Sequence, residues 1–197
     1  THVLEEGRPI GQFYGLVCNG IDENGRYILV DKDGDGEISD PADYDYIGSA
    51  QPKLTYGIPN SFRYKNFDLS FFLRGTIGND ILNATRMAYA QSGFLPGTNA
   101  LDDPLTYTLS ETPRFSNYYL EKGSFMRLDN LTLGYKIKAL NGIRVYFTAQ
   151  NLFVITKYKG LDPEVPMDSG DGLTPGVEPR EFYPKARTFS VGLNLNF

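Results

Sequence analysis

The residues best equipped for chemistry lie in Asp31-Lys32-Asp33-Gly34-Asp35-Gly36-Glu37-Ile38-Ser39-Asp40-Pro41-Ala42-Asp43. Asp at the first, third and fifth positions, Gly at the sixth and an apolar residue at the eighth reproduce the first half of a calcium loop. Hard oxygen ligands at alternating positions converge on one ion, and the glycine permits the sharp bend. The second half departs from the pattern. Ala42 stands where an EF-hand places its bidentate Glu, and Pro41 opposes a straightforward exiting helix. The candidate ligand set is therefore Asp31, Asp33, Asp35 and Glu37, with Asp40 or Asp43 substituting from neighbouring positions. The chemistry expected is a structural Ca2+ staple, set against the simpler reading of an acidic, Gly-rich surface turn. Neither is a catalytic centre, and no organic cofactor is expected.

Other chemistries are poorly supplied. Cys18 is the single cysteine and His2 the single histidine, so there is no intrachain disulfide, no Cys-based metal site and no His-based catalytic dyad. Glu111 and Glu121 could be read as the paired carboxylates of a glycosidase, but nothing in the sequence places them opposite each other. The net charge of −5, without any Lys/Arg run, argues against nucleic acid as a partner. Hydrophobic residues make up 41% of the chain, yet no apolar run approaches the ~20 residues of a membrane helix. The 14 Tyr and 13 Phe, with no Trp, favour strands instead. No signal peptide is visible; the chain reads as cytoplasmic or as a piece of something longer.

The elements that position these residues alternate with period two. In Leu54 to Tyr64, Leu54, Tyr56, Ile58, Phe62 and Tyr64 share one face; Thr55, Gly57, Ser61 and Arg63 share the other. Pro59 lacks a ladder donor, which predicts a bulge there. After a tight Lys65-Asn66 turn, Phe67, Leu69, Phe71 and Leu73 oppose Asp68, Ser70, Arg74 and Thr76. From Phe125 to Ile137, Leu131, Leu133, Tyr135 and Ile137 oppose Asn130, Thr132, Gly134 and Lys136. Ala139-Leu140-Asn141-Gly142 then turns into Ile143, Val145, Phe147 and Ala149 against Arg144, Tyr146, Thr148 and Gln150. The last ten residues set Phe189, Val191, Leu193, Leu195 and Phe197 against Thr188, Ser190, Gly192, Asn194 and Asn196. Shorter strands are expected at Phe13 to Ile21 and Tyr27 to Val30, with a turn at Glu23-Asn24-Gly25, and a short helix within Asp80 to Gln91.

Strands of about ten residues, tilted at ~45°, span a bilayer core. The connections between them alternate short and long: Lys65-Asn66 and Asn141-Gly142 against Gly78 to Lys122 and Lys157 to Arg187. Outer-membrane barrels have tight periplasmic turns at one rim and long extracellular loops at the other. The fold expected is all-β: antiparallel strands forming the C-terminal portion of a transmembrane β-barrel with long extracellular loops.

Specific stretches resemble a known family. Tyr119-Leu120-Glu121-Lys122-Gly123-Ser124-Phe125-Met126-Arg127-Leu128-Asp129-Asn130-Leu131-Thr132-Leu133-Gly134-Tyr135 looks like the signature before the penultimate hairpin of the SusC/RagA family of TonB-linked outer-membrane transporters. Val145 to Phe153, Thr156 to Glu164, Tyr183 to Phe189, Gly11 to Gly15 and Tyr64 to Ser70 are similar to further segments of that family, in the same order. The resemblance implies that residues 1–197 are a C-terminal segment of the barrel, containing the acidic loop 31–43 and lacking the plug and the earlier strands. It implies uptake of an oligosaccharide or peptide with a SusD-like lipoprotein, energised by TonB, in the outer membrane of a Gram-negative cell, with lipid against the barrel wall. Arg63, Arg74, Arg144 and Gln150 would face the lumen. Phe115, Tyr118 and Tyr119 are candidates for stacking on sugar rings, against a plain packing role. Phe197 is the candidate signal for the outer-membrane assembly machinery. The competing account is a soluble, calcium-stapled β-sandwich that binds carbohydrate; it explains neither the loop parity nor the apolar face of every long strand.

Overall fold

The computed structural model of the 197-residue chain describes residues 1–97, 99–138, 143–165, 174–180, 183 and 185–195. In chain order the strands are β1 (His2–Val3), β2 (Gln12–Leu16), β3 (Cys18–Ile21), β4 (Tyr27–Leu29), β5 (Tyr44–Ser49), β6 (Leu54–Tyr64), β7 (Phe67–Ile77), β8 (Asp80–Leu82), β9 (Leu120–Lys122), β10 (Phe125–Ile137), β11 (Ile143–Thr156) and β12 (Thr188–Asn194). Two short helices, α1 (Ala84–Tyr89) and α2 (Pro104–Thr108), lie between β8 and β9.

The five long strands form one antiparallel sheet in the order β12-β11-β10-β7-β6. Lys65, at φ 53, supplies a positive-φ position for the two-residue turn between β6 and β7. The register aligns side chains of like polarity into rows that cross every strand. Phe62, Leu69, Leu133, Phe147 and Val191 form one apolar row; Tyr64, Phe67, Tyr135, Val145 and Leu193 form the next. The other face carries Ser61, Ser70, Thr132, Thr148 and Ser190, then Arg63, Asp68, Gly134, Tyr146 and Gly192. The apolar face is uncovered: Val191 is 75% and Leu193 62% exposed. A continuous apolar sheet face of this extent marks contact with a partner or a membrane. At ~3.3 Å per residue and ~45° tilt, an eleven-residue strand such as β6 crosses about 25 Å, the height of a barrel's apolar band.

Pro59 makes no bulge. It pairs with Phe72 in an unbroken β6–β7 register, on the outermost strand of the described sheet. There a missing donor is tolerated on the side facing away from β7. The irregularity falls in β10 instead. Leu128 pairs with Leu73 and Asn130 with Phe72, leaving Asp129 as an extra residue. This shift reverses the alternation. By simple period two Arg127 would share the apolar face with Leu131; past the bulge it stands opposite Arg74, on the polar face.

The remaining residues build a cap at the loop end. β1, β2 and β5 form a three-stranded sheet, β3 pairs with β4, and β8 pairs with β9. Phe13, Cys18, Tyr27, Ala50, Leu82, Ala90, Leu105, Leu109 and Tyr119 form its buried core. Each large side chain there contributes roughly 1.5–3 kcal/mol by leaving water. Asn83 caps α1 by accepting from the Arg86 amide at 2.8 Å, and Asp103 caps α2 by accepting from Leu105 at 2.9 Å.

The strands expected at Leu54 to Tyr64 and Phe125 to Ile137 have the observed bounds, whereas the partner beginning at Ile143 runs on to Thr156. The stretch Phe13 to Ile21 is two strands, β2 and β3, separated at Val17, and Asp80 to Gln91 opens as β8 before α1 begins. The turn at Ala139 to Gly142 and the terminal Phe197 lie outside the described residues.

The face assignment has a direct check. Leu133→Arg, on the apolar face, should cost about 2–4 kcal/mol in equilibrium unfolding from phospholipid vesicles. Thr132→Arg, one residue earlier on the polar face, should change stability by no more than about 0.5 kcal/mol.

Candidate functional site

The densest chemistry on the polar face is a network of charges where the loop after β11 folds back over the sheet. Arg74 on β7 and Arg127 on β10 are direct cross-strand neighbours, an arrangement that is destabilising for like charges alone. Acids from two sources neutralise it. The bulge delivers Asp129, which accepts from Arg74 Nε at 3.0 Å. The loop delivers Asp162 and Glu164. Arg74 donates to both Glu164 carboxylate oxygens, at 2.6 and 3.0 Å, in a bidentate pair. Arg127 donates to Asp162 at 2.5 Å, with both side chains almost wholly buried (4% and 6% exposed). Asp162 also accepts from the Glu164 amide at 2.9 Å, which fixes the turn that presents both acids. Lys185, just before β12, donates to Glu164 as well. Burial would push the Glu164 carboxyl up, but the hydrogen bonds from Arg74 and Lys185 more than offset it and hold it below the usual carboxylate range. The loop is latched onto the lumen side of the wall by matched charges.

Near the opposite end of the same face, Asp68 accepts from Arg144 Nε at 2.9 Å and from Nη2 at 2.5 Å. A Cβ at Gly134 would sit 2.4 Å from the Arg144 guanidinium and 2.5 Å from Asp68, so glycine is what lets this pair bridge across β10. Gly192 likewise leaves room for the Tyr146 ring, 2.3 Å from where its Cβ would lie.

The acidic loop divides its expected ligands. Asp31, Asp33 and Asp35 come together, with one oxygen of each within 4.8 Å of the others. Their other contacts shape the loop: Asp31 accepts from the amides of Gly34 (2.6 Å) and Gly36 (2.9 Å), and Asp35 from that of Glu37 (2.8 Å). Glu37, Asp40 and Asp43 do not join the cluster. Asp40 pairs with Arg114 at 3.0 Å. Asp43 is buried at the base of the loop, accepting from the amides of Ser39 and Lys32, each at 2.7 Å, and these bonds hold its carboxyl below the usual range.

The aromatic candidates sit in the cap core. Tyr119 has no exposed surface; its hydroxyl bonds that of Tyr27 at 2.5 Å, and burial, followed by that bond, pushes its pKa up. Tyr118 packs edge-on against Tyr119 at 5.5 Å and beneath Arg86 at 5.4 Å. Phe115 fills the space over Gly15, its ring 2.4 Å from where a Cβ there would lie. As placed, the three serve packing. The acids once considered as a catalytic pair are also engaged: Glu111 accepts from the Tyr27 amide, and Glu121 from Asn83 and the Lys159 amide.

Sequence reasoning placed Arg74 and Arg144 on the polar face but missed Asp129, Asp162 and Glu164. Leu161-Asp162-Pro163-Glu164 was visible as a motif; its pairing with Arg74 and Arg127 spans too many residues for any local pattern to reveal.

A meandering sheet with one apolar and one polar face, a tight turn at one end and long loops at the other is the wall of an outer-membrane-type β-barrel. No family model matches the sequence. The chain is 34% identical over 237 residues to TonB-dependent receptor P3 of Formosa agariphila, an alignment covering all of this chain and 23% of that protein. It is 38% identical over 195 residues to TonB-dependent receptor SusC of Bacteroides thetaiotaomicron, covering 89% of this chain and 18% of that one. Among solved structures, the RagAB peptide transporter matches 92% of this chain and 22% of its own, with a TM-score of 0.70 and 26% identity. The chain belongs to the SusC/RagA family of TonB-dependent receptors and spans about a fifth of the length of these relatives.

Two measurements probe the latch. Arg127→Met leaves Asp162 buried without its partner and should cost about 3–5 kcal/mol, and Arg127→Met with Asp162→Asn should recover much of that loss in the same unfolding assay. Because the Glu164 carboxyl is lowered in the folded state, its stabilisation is complete above the unfolded pKa and is lost as pH falls through the lower folded value. The gap in thermal midpoint between the wild type and Glu164→Gln should therefore stay constant from neutral pH down to about pH 5 and close below about pH 4.

Proposed function

We propose that this chain supplies part of the wall and the extracellular cap of an outer-membrane nutrient importer. The observation that carries this reading is the row structure of the sheet: apolar rows on one face and polar rows on the other run across all five long strands. Only a wall between hydrocarbon and an aqueous lumen needs both faces at once. β6 and β12 bound the described sheet, and their outer backbone groups would pair with further strands of the closed barrel. Membership of the SusC/RagA family supports the finer parts of the proposal: uptake of an oligosaccharide or peptide, a SusD-like lipoprotein at the extracellular face, TonB as energy source, and insertion by the assembly machinery of a Gram-negative outer membrane. The role is transport, not catalysis.

The acidic loop serves this cap as a Ca2+ staple, with Asp31, Asp33 and Asp35 as the ligands that the fold gathers. Added Ca2+ should raise the thermal midpoint of the protein, and Asp31→Asn with Asp33→Asn should abolish the rise.

Partition between buffer and detergent, followed by circular dichroism in each, tests the wall. A β-rich spectrum that forms only with detergent or lipid is expected. A monomeric β protein that unfolds cooperatively in plain buffer would overturn the proposal.

A further inference from the structure

The two ends of the polar face are charged in different ways. At the loop end cations and acids are matched: Arg74, Arg127 and Lys185 against Asp129, Asp162 and Glu164. At the short-turn end they are not. A recess of about 510 Å³ there is lined by Arg63, Lys65, Lys136 and Arg144, and by one carboxylate, Asp68. Arg144 already occupies both oxygens of Asp68. Lys136 stands directly opposite Arg144 in the register, a like-charge pair that disfavours the bare sheet. Arg63, Lys65 and Lys136 are exposed and have no ion pair among the described residues. The reason for the asymmetry is reach. At the loop end a long loop returns its own acids to the wall; the two-residue turn after β6 cannot.

We infer that the short-turn end of the polar face is a docking surface for an acidic polypeptide segment seated inside the barrel. Its place on the sheet selects this occupant over a lipid headgroup. Lipid would meet the apolar row at this height, Tyr64, Phe67, Tyr135, Val145 and Leu193, whereas Arg63 lies in the polar row and Lys136 stands opposite Arg144 on that face. Spacing selects it over a small free anion. Arg63 on β6 and Lys136 on β10 are two strands apart, roughly 10 Å across the sheet. One phosphate cannot bridge them; side-chain carboxylates along a peptide can. Asn66 and Asn194, beside the cations, add polar groups for its backbone.

This rests on the barrel reading, and the test separates the two. Outer membranes carrying the complete receptor are treated with a carbodiimide, which joins amines to carboxylates in contact, and the products are mapped by mass spectrometry. Lys185 with Glu164 is the internal control, since that pair lies within this chain. The expected result is that Lys136 or Lys65 is joined to an Asp or Glu outside residues 54–194. The Lys136 product should be lost in Lys136→Arg, which keeps the charge but removes the amine. Its yield should fall several-fold near 1 M salt, where the screening length is about 3 Å. If the control product forms while Lys136 and Lys65 are joined to nothing, or only to Asp68, the inference is overturned and the barrel stands. Release of a bound phospholipid by Arg63→Glu with Lys136→Glu, without any cross-linked segment, also overturns it. Absence of the control product, together with loss of heat-modifiable migration on gels, overturns both.

Discussion

Hydrocarbon offers no partner to a backbone amide, and the rest of this structure depends on that constraint. Each N–H and C=O within the apolar band must be satisfied by an adjacent strand. The long strands therefore pair along their length, with eleven aligned residues between β6 and β7 and continuous register on either side of the Asp129 bulge between β7 and β10. A ladder of that length, with one face in lipid, permits only one register, because a slip of one residue would turn Leu133 inward and Thr132 outward. The two-residue turn at Lys65-Asn66 follows from the same requirement. It joins the strands without offset, Tyr64 beside Phe67.

The chain meets two different solvents and applies two opposite rules. In the cap, water is outside, and Phe13, Leu16, Leu82 and Tyr119 lie inside with at most 1% exposure. In the wall, the large apolar residues point outward and the polar ones line the interior. A hydropathy average over both parts describes neither. The cap also differs in how it is held. Its strands are three to six residues long, apart from the two-residue β1, and come from the start of the chain and from the β7–β10 excursion. Contacts such as the Tyr27–Tyr119 hydroxyl pair, 92 residues apart, tie these pieces together.

This division sets what could be read from sequence. A strand between lipid and a polar lumen must alternate strictly, so β6 and β10 were legible to their end residues and the polar faces of Arg63, Arg74 and Arg144 with them. The cap was far less legible, since a short strand buried on both sides carries no period; Phe13 to Ile21 read as one strand for that reason. Phe115, Tyr118 and Tyr119 drew notice as aromatic residues near a rim, yet burial in a core assembled from distant segments gives them a packing role. The Asp129 bulge was hidden because alternation on either side of it looks regular. Only the pairing with β7 shows that the phase changes between Leu128 and Asn130.

That phase change gives the loop latch its meaning. Setting Arg127 against Arg74 costs stability unless acids answer, and a buried ion pair such as Arg127–Asp162 adds little net stability over an apolar pair of the same shape. What it does add is discrimination. With the acids elsewhere, two guanidinium groups face each other on the wall, and Arg127, 3% exposed, has its charge buried without an answer. With the acids in place, Asp162 and Glu164 can be satisfied in one position only, because the forked pair with Arg74 fixes direction as well as distance. The network therefore specifies where the segment from Leu161 to Glu164 lies far more strongly than it stabilises the fold. A transporter whose long loops must sit in a defined place above a polar lumen has a use for such a device, and a barrel wall held by its own ladder can bear the cost of building it.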